Sequence, residues 1–148
     1  MTVRAEVTGM TVANMIANPP VVFSAGNPSP TVEFSVVIPF RNPGSALRHT
    51  VQRITEALYA QNVSFQVIAV AADCTDGSEL TLSGLHGTWV SSDPDVRDRG
   101  AALTYGFATA VGAWIGFVDI DADTEVDPYE LVECLHRARE REHADVLL

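Results

Sequence analysis

A run of alternating acidic residues follows the most apolar segment in the last third of the chain. Carboxylates stand at every second position: Asp119, Asp121, Asp123, Glu125 and Asp127. In an extended segment, residues two apart point to the same side, so Asp119 and Asp121 can present oxygens toward one point. Mg²⁺ takes only one or two protein carboxylates and leaves its other positions to water and phosphates. The spacing therefore predicts a divalent-cation site that serves a phosphate-bearing ligand.

The acidic run also permits two other interpretations. One is a solvated turn that caps the following helix. The other is a calcium-binding loop, because the carboxylates from Asp119 to Glu130 occupy positions 1, 3, 5, 7, 9 and 12 of that register. However, Thr124 stands where the loop needs glycine, Pro128 interrupts it, and the segment before it resembles a strand rather than a helix. We keep the calcium-binding module as an alternative.

Three further segments carry polar residues at predicted loop positions. Arg99-Gly100 opens a predicted helix, where backbone N–H groups and a guanidinium suit a phosphate oxygen. Arg41-Asn42 follows the first predicted strand, although Asn-Pro-Gly is first a turn signal. Asp73 follows the second strand and is a candidate for a base or ribose contact. Asp76 and Glu79 have the spacing of a helix capping box.

The elements that must position these residues alternate along the chain. Apolar, β-branched runs predict strands at 34–38, 65–70, 88–90, 114–118 and 145–148. Helical periodicity predicts helices at about 47–58, after Asp76, over 101–111 and from Asp127. Continuously apolar strands separated by helices indicate an α/β fold with a mostly parallel sheet and helices on both faces. Ligands then bind at the carboxyl ends of the strands.

The length of the sequence and the composition of its two ends indicate how the chain divides into a linker and a domain. A chain of 148 residues with 47% hydrophobic content suits one domain. Residues 1–32 are low in charge and rich in proline, which predicts a leader or linker with a short extended piece at 21–23, and residues 33–148 form the folded domain. The strand pattern at 145–148 lacks a following turn, so we expect a fragment of a longer protein.

The charge argues against two classes of partner, and the cysteine content indicates the state of the thiols. A formal net charge of -10 argues against broad binding to nucleic acid or to an anionic membrane, since both need arginine and lysine to neutralise phosphates. The two cysteines form no Cys-x-x-Cys pair, which favours free thiols. Neither a signal peptide nor a membrane span is evident. We expect a soluble, cytoplasmic domain.

Taken in order, these segments resemble the family-2 glycosyltransferases of the GT-A fold, including the polyprenyl-phosphate sugar synthases. The segments that carry the resemblance are Ser35–Asn42, Val70–Gly77, Arg99–Ala102, Gly112–Asp121 and the Asp-Pro-x-x-Leu of Asp127–Leu131. The resemblance covers about residues 34–148. It implies the Rossmann-like, nucleotide-binding half of a GT-A domain.

The resemblance also implies a set of site residues. Donor-binding residues would be Pro39, Phe40, Arg41, Asn42, Asp73, Arg99, Gly100 and Asp119. The metal, Mg²⁺ or Mn²⁺, would be held by Asp119 and Asp121. Asp121 with Asp123 is a second possible pair, but the spacing from Gly112 favours the first.

Three departures from the family pattern affect these expectations. Ala72 stands where the family usually has an acidic residue that contacts the base, and Pro43 replaces a common glutamate. Family members also place the catalytic base and the acceptor site in a second half, beyond Leu148. No catalytic base is therefore assigned.

The resemblance implies a metal-assisted, inverting transfer of a sugar from a nucleoside-diphosphate sugar to an acceptor. A lipid-linked acceptor, a role in cell envelope biosynthesis and a place at the cytoplasmic face of the membrane, through segments outside this chain, are consistent with it. The alternative from another class is a non-catalytic nucleotide-binding module.

Overall fold

The computed structural model describes residues 20–120 and 126–147, and the side chains as far as Glu142. Its five strands are β1 (Val21–Ser24), β2 (Val32–Phe40), β3 (Phe65–Ala71), β4 (Thr88–Ser91) and β5 (Gly112–Phe117). Its helices are α1 (Ala46–Ala60), α2 (Arg99–Thr109) and α3 (Pro128–Leu147), with a 3-10 helix at Ser78–Leu82. The strands form a sheet in the order β1-β5-β2-β3-β4. Only β1 is antiparallel to its neighbour in that sheet.

The sheet buries both of its faces, which explains its continuously apolar strands. On β2, Phe34, Val36, Ile38 and Phe40 belong to the core beneath α1 and α3, whereas Val37 points to the opposite face and packs in the core beneath α2. The side chains of Phe34, Val36, Val37 and Ile38 are fully buried. Successive strand residues point to opposite faces, so a strand covered on both sides has no room for polar alternation.

Helix α1 covers the sheet with one apolar stripe. Leu47, Val51, Ile54 and Leu58 are fully buried, at the spacing that places side chains on a single face of a helix. Burial of one such side chain stabilises the fold by about 1.5–3 kcal/mol before entropy costs. The stripe therefore fixes which face of α1 packs on the sheet.

Helix α3 begins where its sequence predicts. The Asp127 carboxylate accepts a hydrogen bond of 2.9 Å from the backbone N–H of Tyr129, and Pro128 takes the first helical position. Leu131 and Leu135 are fully buried against the same side of the sheet as α1. Asp127 thus acts as the start signal of this helix.

The structure corrects one predicted element and extends another. The strand expected at 145–148 is wrong as far as the structure describes it, because α3 continues to Leu147 with neither glycine nor proline after Pro128 to stop it. Part of the segment predicted to be a linker contributes β1, which pairs with β5 through Val21–Phe117 and Ser24–Trp114. Residues 1–19 lie outside the described residues. The other four predicted strands and the helices on both faces are confirmed.

The connections around β2 run in opposite directions. From β2 the chain crosses through α1 to β3 on one side, and from β4 it returns through α2 to β5 on the other side. Ligands of open α/β sheets bind outside the carboxyl ends of the strands at such a point. No helix in the described ranges is both long and apolar enough to cross a membrane.

Candidate nucleotide-sugar site

A cavity of about 440 Å³ opens at the carboxyl ends of β2 and β5. Pro39 and Phe40 end β2, and Phe40 pairs in parallel with Ile120, just beyond β5. This pairing carries Asp119 to the cavity wall. The lining residues are Pro39, Phe40, Arg41, Ala72, Arg97, Asp98, Arg99, Asp119 and Ile120.

Positive charge concentrates at this cavity in an otherwise acidic chain. All nine basic residues of the sequence are arginines, and three of them, Arg41, Arg97 and Arg99, line the cavity. A guanidinium presents its N–H donors as a planar fork that matches two oxygens of a phosphate or a carboxylate. The cavity is therefore suited to an anionic ligand although the net charge of the chain is -10.

Arg99 and Asp119 form a two-pronged ion pair in the cavity wall. The Nε atom of Arg99 lies 2.6 Å from Oδ1 of Asp119, and one terminal nitrogen lies 3.0 Å from Oδ2. The guanidinium also lies 5.6 Å from the centre of the Phe117 ring, within cation–π range. The hydrogen bonds to Asp119 raise the pKa of Arg99, which therefore stays cationic.

The start of α2 holds Arg99 in this position. The Asp98 carboxylate accepts a hydrogen bond of 2.8 Å from the backbone N–H of Ala101, which caps the helix. Gly100 follows Arg99 in the first turn, next to the cavity-lining pair Asp98 and Arg99. The helix N-terminus and the guanidinium of Arg99 thus lie beside the same cavity.

Asp119 has the chemistry of a ligand for a hard divalent cation. Its side chain is 25% exposed at the cavity, and its carboxylate already attracts one cationic group, the guanidinium of Arg99. Carboxylate oxygens suit Mg²⁺ and Mn²⁺. The second predicted ligand, Asp121, and its alternative partner Asp123 lie outside the described residues. The part of the site that is described fits such a cation.

The loops after β2 and β3 are tied together beside the cavity. Asn42 adopts a left-handed backbone conformation, and its Oδ1 accepts hydrogen bonds from the backbone N–H groups of Thr75, at 2.7 Å, and Asp76, at 3.1 Å. In return, the Asp76 carboxylate accepts a hydrogen bond of 3.0 Å from the backbone N–H of Gly44. These reciprocal bonds hold the two loops at a fixed separation.

The whole sequence was compared with known proteins. The model of glycosyl transferase family 2 matches residues 35–148, which include all five segments that carry the resemblance. The chain belongs to this family. The match supports glycosyl transfer in general, between a nucleotide-sugar donor and an acceptor, and family-2 members commonly use divalent metals. No curated protein matches the chain significantly.

The predicted donor contacts of this family-2 domain fall into two groups. Pro39, Phe40, Arg41, Arg99 and Asp119 line the 440 Å³ cavity, and Gly100 is next to it. The other two predicted donor contacts, Asn42 and Asp73, do not line this cavity. The Asn42 side chain bonds the neighbouring loop, and Asp73 lines a second cavity.

The second cavity of the family-2 domain, about 280 Å³, lies beyond the first and shares Arg97 with it. Asp73, Cys74, Glu79 and Asp93 are among its lining residues. Ligand atoms of Cys74, Asp76 and Glu79 lie within 4.8 Å of one another. Burial raises the pKa of the Cys74 thiol, which therefore favours its protonated form.

Sequence reasoning did not include Arg97 among the donor-binding residues of this family-2 domain. Arg97 lines both cavities, two residues before Arg99. Val96, the residue before Arg97, is buried, whereas Arg97 and Arg99 are exposed. The available signal was a pair of arginines two residues apart, directly after an apolar residue and at the start of a helix.

Stability at low pH should depend on Asp76. Hydrogen bonds from Ser78, chiefly through its hydroxyl, lower the pKa of Asp76 from 3.8 to about 2. Because the folded protein favours the charged carboxylate, this contribution to stability is complete above the ordinary pKa and is lost as the pH falls toward about 2. Wild type should be more stable than Asp76→Asn near neutral pH, and the difference should shrink in acid.

Urea unfolding at several pH values between about 6 and about 2.5 measures this difference. Asp95→Asn, which removes one exposed aspartate outside these loops, serves as the matched control for the loss of one carboxylate. A gap between wild type and Asp76→Asn that does not change with pH would contradict the assignment.

Proposed function

We propose that this family-2 domain binds a nucleoside-diphosphate sugar, with the diphosphate in the 440 Å³ cavity between β2, β5 and the start of α2. The observation that carries the proposal is the convergence of Arg41, Arg97 and Arg99 with Asp119 on one cavity. A diphosphate needs positive charge, whereas a divalent cation needs carboxylate oxygen, and the cavity offers both.

The proposed reaction is inverting transfer of the sugar to an acceptor. Mg²⁺ or Mn²⁺, held by Asp119 and Asp121, would supply charge neutralisation of the departing diphosphate. The guanidinium groups of Arg97 and Arg99 would donate hydrogen bonds to the phosphate oxygens, where negative charge grows as the glycosidic bond breaks. Interactions that strengthen with this growing charge lower the barrier rather than merely tighten substrate binding.

Metal-dependent donor binding tests this proposal. UDP, GDP, CDP and ADP are titrated calorimetrically into the chain with Mn²⁺ and again with EDTA. We expect Mn²⁺ to tighten binding of one or more of them, and Asp119→Asn and Asp121→Asn to remove that gain. Loss of a group that merely orients a metal ligand costs about 10- to 100-fold in metal affinity, so loss of a ligand itself should cost at least as much.

The control for this titration is Asp95→Asn, which changes the net charge equally at an exposed position that does not line the cavity. It should bind nucleotide and metal as wild type does. If Asp119→Asn and Asp121→Asn keep the full metal-dependent gain, the metal assignment fails.

A second candidate function, a non-catalytic nucleotide-binding module, is favoured by the environment of Ala72. This residue is buried, packs with Val70 and Val96, and lines the cavity where the family resemblance expects an acidic contact to the base. Incubation with labelled nucleotide sugars and a set of acceptors distinguishes the two functions. Transfer by this chain would exclude the module, whereas binding without transfer would support it.

The calcium-binding alternative receives no support from the described residues. An EF-hand loop lies between two helices, but strand β5 precedes Asp119. Asp127, the ninth position of the register, caps α3. A Ca²⁺ titration without nucleotide should therefore show no preference for Ca²⁺ over Mg²⁺.

A further inference from the structure

Both carboxylate oxygens of Asp119 accept hydrogen bonds from Arg99. The same carboxylate is the proposed ligand for a divalent cation, and the same guanidinium is a proposed ligand for the diphosphate. A cation that binds Asp119 at short range must displace the positively charged guanidinium, since the two would otherwise repel each other.

We propose that Arg99 couples the two ligands: it occupies Asp119 until a divalent cation replaces it, and it then moves to the diphosphate in the same cavity. The inference rests on the proposed function and adds to it an internal competitor for the metal. Each ligand that binds alone must separate this ion pair, which costs the attraction between its two charges. When both bind, each half of the pair finds a new partner.

The position of Arg99 distinguishes it from the other arginines of the cavity. Arg41 lies 3.8 Å from Asp73, and Arg97 lines the cavity without a hydrogen bond to Asp119 among the described contacts. The Arg99 side chain is 54% exposed, so the guanidinium has solvent-side space in which to move. The Phe117 ring, 5.6 Å from the guanidinium, favours the position in which Arg99 pairs with Asp119.

The size of the coupling follows from the exposure of the pair. An ion pair that is half exposed to water contributes little binding free energy, and two-pronged geometry increases this contribution modestly. We expect the pair to weaken the binding of the metal alone by about fivefold. By thermodynamic linkage, the factor by which bound diphosphate tightens metal binding equals the factor by which bound metal tightens diphosphate binding.

Arg99→Gln tests the competition directly. Mn²⁺ is titrated into the nucleotide-free chain, and free Mn²⁺ is measured by electron paramagnetic resonance. Arg99→Gln should bind Mn²⁺ about fivefold more tightly than wild type, although it should bind nucleoside diphosphate more weakly. Arg97→Gln makes the same charge change in the same cavity, and it should weaken diphosphate binding without tightening Mn²⁺ binding.

Asp119→Asn supplies the reciprocal measurement. In EDTA this variant should bind nucleoside diphosphate more tightly than wild type, because Arg99 is released and a negative charge is removed from the cavity. Circular dichroism checks that all three variants are folded.

The outcomes separate this inference from the proposed function. If wild type binds Mn²⁺ and diphosphate but Arg99→Gln binds Mn²⁺ no more tightly than Arg97→Gln does, Arg99 is no competitor and only this inference is overturned. If wild type binds neither Mn²⁺ nor any of the four nucleoside diphosphates, the proposed function and this inference both fail.

Discussion

Gly106→Ala is expected to destabilise the domain by about 2–3 kcal/mol, although alanine in a helix interior normally stabilises relative to glycine by about 1 kcal/mol. Gly106 is buried in α2, where the helix packs on β2. A methyl group at this position would overlap Cγ1 of Val37 and lie 3.1 Å from Cγ2 of the same residue. Val37 is fully buried in the sheet, so neither partner can move away without opening the core.

Urea unfolding of matched variants measures this effect. Gly100→Ala lies in the first turn of the same helix, where the nearest atom to the new methyl group is Oδ1 of Asp98 at 3.4 Å, and it should change stability by about 0.5 kcal/mol or less. Val37→Ala should recover part of the loss when combined with Gly106→Ala, because the obstacle is a side chain. A Gly106→Ala variant as stable as wild type would disprove the close packing.

The fold was largely predictable from the sequence because its signals are local. The apolar run from Phe34 to Ile38 and the stripe of Leu47, Val51, Ile54 and Leu58 give strand and helix directly through their periods. Both faces of the sheet must then be buried, because a continuously apolar strand would otherwise expose apolar side chains to water. Nothing local in Val21–Ser24 specifies that β1 pairs antiparallel with β5, because that contact joins residues about ninety positions apart.

The last predicted strand was wrong for a related reason. The residues after 144 have the composition of a strand, but α3 begins at Pro128 and no stop signal interrupts it before Leu147. Helix propagation is favourable once the helix has begun, so a continuing helix can override the strand preference of its last few residues.

The sequence identifies candidate residues for the site but does not indicate how they pair. The order of the motifs points to Arg99 and Asp119, yet the two-pronged contact between them depends on how α2 packs across β2 and β3. In the same way, Asn42 reads as a turn residue, and its bonds to Thr75 and Asp76 arise only when the ends of β2 and β3 lie side by side. Type and spacing identify candidates, whereas partners come from the tertiary structure.

Gly112→Ala should be at least as damaging as Gly106→Ala, with an expected loss of about 3 kcal/mol. Gly112 is buried at the start of β5, and its backbone N–H donates a 2.9 Å hydrogen bond to Oγ of Ser35. An added methyl group would lie 2.7 Å from that Oγ, 2.8 Å from the backbone nitrogen of Ser35 and 3.0 Å from the carbonyl carbon of Phe34. Two of these three obstacles are backbone atoms of a central strand.

The Gly112 prediction is tested by removing the one side-chain atom, Oγ of Ser35, that lies close to the added methyl group. Ser35→Ala removes only the Oγ atom, and alone it should cost about 1 kcal/mol because Gln66 and Gly112 lose the hydroxyl between them. Combined with Gly112→Ala it should recover little, since the backbone nitrogen of Ser35 and the carbonyl carbon of Phe34 still block the methyl group. Urea unfolding of the two single variants and the double variant decides the matter. Substantial recovery in the double variant would mean that β5 and β2 can separate at this point, and that the strand that carries Asp119 is held less rigidly than its packing indicates.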